Sequence, residues 1–347
     1  MFEVAGRAIG DHYRPFIIAE LSANHGGSID RAKQTMVSAK LAGASAVKLQ
    51  TYTPDTMTID SDRPEFKIDN GLWAGSNLYE LYKTAYTPFE WHAELFEFAR
   101  SQDLILFSTP FDESAVELLE GLNTPAYKIA SFELTDLPLI ECVASCGKPM
   151  FISTGMATLA EIGECIECCK RMGNDDLLLF HCISSYPASL ETSCLSNIRF
   201  LSKEFGVPVG LSDHTIDNTA SIAAVAMGAA AIEKHFKLDD EDCGPDSSFS
   251  VTPPKFSQLV SDCNAVHAAI ETDGFARSAE ESENLKFRRS LYFVRDMNSG
   301  EQVDPASIRR IRPGFGLPPK HFAAVQGKTL KNSVKRGQPV RWNDFES

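Results

Sequence analysis

The chain has 347 residues, 43% of them hydrophobic and 23% charged, with a formal net charge of −14. That length suits roughly two domains of about 150 residues each, with an ordinary soluble balance able to bury a large core. The negative charge argues against nucleic acid or an anionic membrane as partner, and no apolar run approaches the roughly 20 residues of a membrane span.

Met1 to Pro15 lacks the apolar core of a signal peptide. Nine cysteines are scattered through the chain, and Cys165-x-x-Cys168 has no second pair to complete a zinc site. A reduced, cytoplasmic setting is expected, with the cysteines serving as small core residues.

Eight short apolar runs follow in chain order: Phe16–Glu20, Ala46–Gln50, Leu104–Ser108, Ala126–Ala130, Met150–Ser153, Leu177–His181, Val207–Leu211 and Ala230–Glu233. Helix signatures fill most of the intervals. Ser28 is an expected N-cap for a helix over Ile29–Leu41, and Thr158 with Glu161 an expected capping box before Leu159–Met172. Strands alternating with helices imply a parallel sheet. Eight such units within about 250 residues predict an α/β fold of the closed (β/α)₈ TIM-barrel type. One interval, Thr51 to Pro88, is too long for a simple connection and holds Gly71-Leu72-Trp73-Ala74-Gly75 and Leu78-Tyr79-Glu80-Leu81-Tyr82. Its aromatics read either as a lid packed over the barrel or as a small core of its own. After a helix over Pro254–Ile270, the polar stretch Glu271–Asn284 resembles a linker, and a Gly- and Pro-rich segment of short strands begins at Ser290. The expected domains are 1–272 for the barrel, 273–285 for the linker and 286–347 for the small β-rich domain.

A barrel places its chemistry just past the C-terminal ends of its strands. Those ends read Glu20, Lys48 with Gln50, Ser108-Thr109, Lys128 with Ser131, Ser153-Thr154, Ser184 with Tyr186, His214, and His235. Polar residues are common near solvent, and Ser and Thr also begin helices, so each end taken singly has a bland reading. His214 and His235 end adjacent runs separated by one helix, and parallel neighbours lie about 4.8 Å apart. Two imidazoles there could share one divalent ion, or be unrelated strand-end residues. Glu233 falls on the same strand face as His235. Lys48 and Lys128 each need an anion if buried. With Thr109, Ser131, Ser153 and Ser212 nearby, that anion reads as a phosphate, and a lysine Schiff base is the competing chemistry. Glu20 is placed to handle the proton of a water, and the histidines suit a Lewis-acid metal with positions open to a substrate oxygen.

The motifs Ile18-Ala19-Glu20-Leu21-Ser22-Ala23-Asn24-His25, Val47-Lys48-Leu49-Gln50, Tyr127-Lys128-Ile129-Ala130-Ser131, Ser212-Asp213-His214-Thr215, Glu233-Lys234-His235-Phe236 and Gly244-Pro245-Asp246 together resemble the sialic acid synthase family. Phe287-Arg288-Arg289-Ser290-Leu291 and Ile311-Arg312-Pro313-Gly314 resemble that family's C-terminal antifreeze-like (SAF) domain. The Gly71-Leu72-Trp73 insert and Tyr86-Thr87-Pro88 look most like the branch that makes pseudaminic acid. The resemblance implies condensation of phosphoenolpyruvate with an open-chain N-acetylated amino sugar. The product is a nine-carbon 2-keto acid, and phosphate is released. It implies that His214 and His235 hold the metal, Mn²⁺ first and Mg²⁺ or Co²⁺ otherwise. It assigns the water to Glu20, phosphoenolpyruvate to Lys48, Thr109, Lys128, Ser131, Ser153, Ser184 and Ser212, and the sugar to Gln50, Tyr186, Glu233 and Asp246. Arg312 would arrive from the SAF domain of a partner in a domain-swapped homodimer.

Two departures stand out. Ser184 occupies a position where the family often has Asn, and Ala74 one where the pseudaminic branch is expected to have Asp. The sugar is therefore open between 2,4-diacetamido-2,4,6-trideoxy-L-altrose and the sialic or legionaminic acid precursors. A non-catalytic carbohydrate-binding or ice-binding protein is the alternative from another class.

Overall fold

The structure is a computed structural model that describes residues 1–69, 71–241, 244–271 and 274–346. It divides into two compact units, Met1–Thr272 and Asp273–Ser347. The expected junction at 272 and 273 lies outside the described residues, as does Ser347 at the end of the expected last domain.

The first unit opens with an antiparallel pair, β1 (Phe2–Val4) and β2 (Arg7–Ile9), which sequence patterning does not reveal. Eight parallel strands then close into a barrel: β3 (Phe16–Glu20), β4 (Ala46–Thr51), β5 (Ile105–Pro110), β6 (Tyr127–Ile129), β7 (Met150–Ser153), β8 (Leu177–Cys182), β9 (Val209–Asp213) and β10 (Ala231–His235). Strand β10 returns to pair with β3, with His235 opposite Glu20. The last two strands run two residues further than their apolar runs suggest. Val207 and Pro208 precede the ladder, and His235 completes β10 on the same strand face as Glu233, as alternation predicts.

Strand alternation divides the unit into two apolar layers. Outward residues such as Ile17, Ala19, Val47, Leu49, Ile152 and Leu179 join one cluster with the surrounding helices. Inward residues Phe16, Ile18, Phe107, Phe151, Leu178 and Phe180 join a second cluster with Phe2, Val4 and Ile9 of the N-terminal pair. The phenylalanines stack across the barrel, with ring centroids 5.3 Å apart for Phe107–Phe151 and 5.9 Å for Phe151–Phe180. Gly210 lies against this floor, since a Cβ there would meet the Phe180 ring at 2.7 Å and the Ala231 carbonyl at 2.5 Å. Followed along each strand, the same inward face turns polar. Phe16 and Ile18 lead to Glu20, Ala46 to Lys48 and Gln50, Phe107 to Thr109, Ala126 to Lys128, Phe151 to Ser153, Gly210 to Ser212 and His214, and Ala231 to Glu233 and His235. The lower barrel is thus a dry core, and its upper end a polar layer resting on aromatic rings.

The barrel helices are α1 (Ile29–Leu41), α4 (Phe89–Ser101), α5 (Glu113–Gly121), α6 (Leu137–Ser145), α7 (Leu159–Arg171), α8 (Asn197–Phe205), α9 (Thr219–Ala226) and α10 (Pro253–Ile270), and two shorter helices lie in the insert between β4 and α4. Ser28 accepts from the Arg31 N–H, and Thr158 and Glu161 form the expected capping box. The long interval folds as α2 (Pro54–Met57) and α3 (Leu78–Ala85). Its aromatics split between the two readings. Tyr52 packs between Tyr82 of α3 and Phe111 of the barrel, while Trp73 reaches across to Tyr186.

The second unit carries α11 (Ala279–Glu283), where part of the linker was expected, then antiparallel β11 (Ser290–Phe293) and β12 (Ile308–Ile311), and α12 (Phe322–Val325). Its own core includes Leu291, Phe293, Ile308, Leu330, Val340 and Phe345.

Candidate active site

Three other strand ends meet on the carboxylate of Glu233. Glu233 Oε1 lies 3.6 Å from Lys48 Nζ and 3.7 Å from Lys128 Nζ, and accepts from the Ser212 hydroxyl at 3.1 Å. Lys48 also contacts Glu20 Oε2 at 2.9 Å and donates to Thr109 at 3.1 Å, and Lys128 donates to Ser153 at 2.6 Å. Gln50 donates to Glu20 Oε1 at 2.9 Å and to the Ser22 hydroxyl at 3.0 Å, and Ser22 in turn donates to Asp246. All but Gln50 and Asp246 among the strand-end members are buried.

Burial raises the Glu20 carboxyl above its ordinary range, against the pull of Lys48. For Lys48 burial acts downward, but Glu20 and Glu233 outweigh it and the ammonium is held more firmly than usual. Lys128 is lowered by burial, with Glu233 only partly offsetting it. Two cations and two carboxylates balance one another at the strand ends. A ligand carrying both phosphate and carboxylate needs further positive charge to enter.

The two histidines face each other beside this cluster, with ring centroids 5.4 Å apart. His214 Nδ1 lies 3.0 Å from the Ile183 carbonyl oxygen, which fixes the tautomer and leaves Nε2 as the lone-pair donor. His235 Nδ1 is buried with no hydrogen-bond partner. Burial, then the charge of His214 and the nearby lysines, pushes the His235 pKa well down, so the ring stays neutral. His214 is raised instead, because the Cys182 sulfur, 3.7 Å from its Nδ1, and other partners outweigh burial. Among the described residues no group of three or more His, Cys, Asp and Glu side chains forms a closed metal cage. An orphaned imidazole nitrogen opposite an oriented one fits an ion held by two protein ligands and otherwise open to oxygen.

The remaining predicted residues ring this centre. Ser131 accepts from the Gly155 N–H at 3.2 Å. A Cβ on Gly155 would meet Ser131 Oγ at 2.7 Å and Ser184 Oγ at 2.2 Å, so both hydroxyls converge where only glycine fits. The Tyr186 ring packs at a tilt against His214 and Phe249, with centroids 4.4 Å and 5.1 Å away. Trp73 of the insert lies 5.8 Å from Tyr186 and donates to the Pro245 carbonyl at 3.2 Å, next to Asp246. Arg312 is exposed just past β12 in the second unit.

Sequence patterning leaves a further carboxylate unmarked. Glu133, two positions past Ser131, has a buried Oε2 without a hydrogen-bond partner. Burial pushes its pKa up to about 7, with Lys128 pulling it back. Its place in a short 3-10 turn hides it from strand periodicity, and its nearness to Ser131 was the available signal. Size of hollow does not mark this site. The groove of about 310 Å³ between α1 and α4 is lined by Val37, Leu41 and Phe98, whereas the hollow beside His214 measures about 10 Å³.

The NeuB family model matches residues 35–274, and the SAF domain model residues 288–346. The pseudaminic acid synthase of Helicobacter pylori is 43% identical over 336 residues, 96% of this chain and 98% of that protein. The N,N'-diacetyllegionaminic acid synthase of Legionella pneumophila is 34% identical over 339 residues, 96% and 95% respectively. A crystal structure of N-acetylneuraminic acid synthetase from Leptospira borgpetersenii, in complex with citrate, superposes with a TM-score of 0.74 at 28% identity, covering 83% of this chain and 95% of that one.

Proposed function

The chain belongs to the NeuB family, and on that premise we propose that it condenses phosphoenolpyruvate with 2,4-diacetamido-2,4,6-trideoxy-L-altrose. The product is a pseudaminic acid, and inorganic phosphate leaves. The observation that carries the reading is the convergence of Lys48, Lys128 and Ser212 on Glu233 beside the two imidazoles. The identity to the Helicobacter pylori pseudaminic acid synthase supports the choice of sugar.

Lys48, Thr109, Lys128, Ser131, Ser153, Ser184 and Ser212 would hold phosphoenolpyruvate, the lysines exchanging their carboxylate partners for its anionic groups. His214 and His235 would hold a divalent ion, Mn²⁺ first, which also supplies charge the balanced strand ends lack. When bound, the ion acts as a Lewis acid toward the sugar aldehyde oxygen. The phosphoenolpyruvate methylene carbon forms the new bond to the aldehyde carbon, whose oxygen takes up a proton. Water adds to the resulting oxocarbenium carbon, with Glu20 placed to orient it and accept its proton. Loss of phosphate from that carbon leaves the 2-keto acid. Gln50, Tyr186, Glu233 and Asp246 would face the sugar, with Trp73 closing the far wall.

Mass spectrometry of products from phosphoenolpyruvate and a sugar panel tests this reading. The diacetamido trideoxy sugar is expected to give the nine-carbon acid, with N-acetylmannosamine and the legionaminic precursor poorer. Preference for either of the latter two moves the assignment to the sialic or legionaminic branch, and silence with every sugar favours a carbohydrate-binding protein. In the same assay Trp73→Ala should lower kcat/KM for the preferred sugar about tenfold, the equivalent of roughly 1.4 kcal/mol of lost contact.

A domain-swapped homodimer belongs to the same proposal. The mouth loops expose Phe132 and Met156, each 63% accessible, and Ile216 at 54%, and the second unit exposes Phe287 and Phe315. A partner's second unit would cover the mouth and bring in Arg312. Deleting Glu283–Ser347 should remove activity while leaving a soluble barrel with its circular dichroism intact. Full turnover by that truncation would dismiss the Arg312 role. The described cysteines are free, which supports a reducing, cytoplasmic setting. No helix among the described residues is long and apolar enough to cross a membrane.

A further inference from the structure

The residues immediately before His214 and His235 are Asp213, the last residue of β9, and Lys234 of β10. Alternation turns both away from the barrel mouth, and Lys234 is fully buried at 0% exposure. Its ammonium contacts Asp213 Oδ2 at 2.8 Å and donates to the backbone carbonyls of Thr215 and, at 2.9 Å, Asp217. Asp213 Oδ1 accepts from the Thr215 N–H at 2.8 Å and its hydroxyl at 2.7 Å, and Oδ2 accepts from Ser221 of α9. The turn that carries His214 is therefore folded around an ammonium rooted one residue before His235.

We propose that Lys234 and Asp213 form a positioning pair that fixes His214 against His235 for metal capture. This rests on the metal reading of the two histidines. A buried ion pair that serves only stability can often be replaced by apolar groups of similar volume at little cost. Here the ammonium also binds two backbone carbonyls of the His214 turn, which no apolar side chain can do. Each partner is one peptide unit from an imidazole, so slack at 213 or 234 passes directly to the pair of rings. Hydrogen-bonded groups behind metal ligands typically change affinity by about 10–100-fold when removed.

The test uses full-length protein, wild type beside Asp213→Asn and Lys234→Met. Free Mn²⁺ is followed by electron paramagnetic resonance, and phosphoenolpyruvate binding without metal by calorimetry. The expected result is a Kd for Mn²⁺ about 10–100-fold weaker in each variant, with phosphoenolpyruvate affinity within about twofold of wild type. A merely structural role would lower the melting temperature and leave this split absent. Should Lys234→Met fail to fold, Asp213→Asn keeps the carboxylate's shape and carries the test alone. Wild-type binding of Mn²⁺ matched within about twofold by Asp213→Asn overturns the proposal. Failure of wild type to bind Mn²⁺ overturns the metal reading itself.

Discussion

The His214→Ala protein is expected to release no phosphate from phosphoenolpyruvate above background at any Mn²⁺ concentration, a loss of about a thousandfold or more. Lewis-acid polarisation of a carbonyl is worth several kcal/mol, and about 4 kcal/mol corresponds to three decades in rate. The structure concentrates several roles on this one ring. It faces His235 at 5.4 Å, and the tilted Tyr186 ring packs against it at 4.4 Å. Its Nδ1 is anchored on the Ile183 carbonyl, so the free Nε2 has a fixed direction. Removing it leaves His235, already neutral through burial, as a single weak ligand. Stopped phosphate release, measured with and without chelator on wild type and variant, checks this. Undiminished turnover of chelator-treated wild type would show that the histidines serve something other than a metal.

Much of this centre was legible because strand geometry is simple. An inward face that starts with Phe16 and Ile18 and ends in Glu20 can be read from a period of two, and so can Phe151 before Ser153. Closure into a barrel then brings such ends together, whatever their distance in sequence. Where periodicity gave out, so did the reading. The strands of the first pair, Phe2–Val4 and Arg7–Ile9, are only three residues each, too short for alternation to register, although Phe2 and Ile9 pack with the phenylalanine floor. The last residues of β9 and β10 are polar, so the apolar runs stop short of them, although Ser212, Asp213 and Lys234 find hydrogen-bonding or ionic partners and His235 a ladder partner in the folded barrel. Glu133 sits in a turn with no repeat at all. Lys234 shows the limit most clearly. A charged residue between two site residues on a strand looks solvated in the sequence, yet it is enclosed behind them by Asp213 and two carbonyls.

Glu20→Gln should lower kcat by about 10²–10⁴-fold, the range for losing a positioned general base, while phosphoenolpyruvate binds as tightly as before or tighter. The split follows from charge. The Glu20 carboxylate sits 2.9 Å from Lys48 and competes with any phosphate for that ammonium. A neutral amide of the same shape ends the competition, and Lys48 keeps its Thr109 and Glu233 contacts. The amide has no basic lone pair for the water's proton, so tighter binding does not rescue turnover. The pH profile carries the same signature. A base works only when deprotonated, and burial raises the Glu20 pKa above its ordinary 4.5. Wild-type kcat should therefore rise with pH through a limb above the usual carboxylate range, and that limb should vanish in Glu20→Gln. Glu133, held near 7, titrates in the same region, so Glu133→Gln is the control. A limb that survives Glu133→Gln and disappears in Glu20→Gln belongs to Glu20. If Glu20→Gln instead weakens phosphoenolpyruvate binding and leaves kcat alone, the carboxylate holds Lys48 in place and the water finds its base elsewhere.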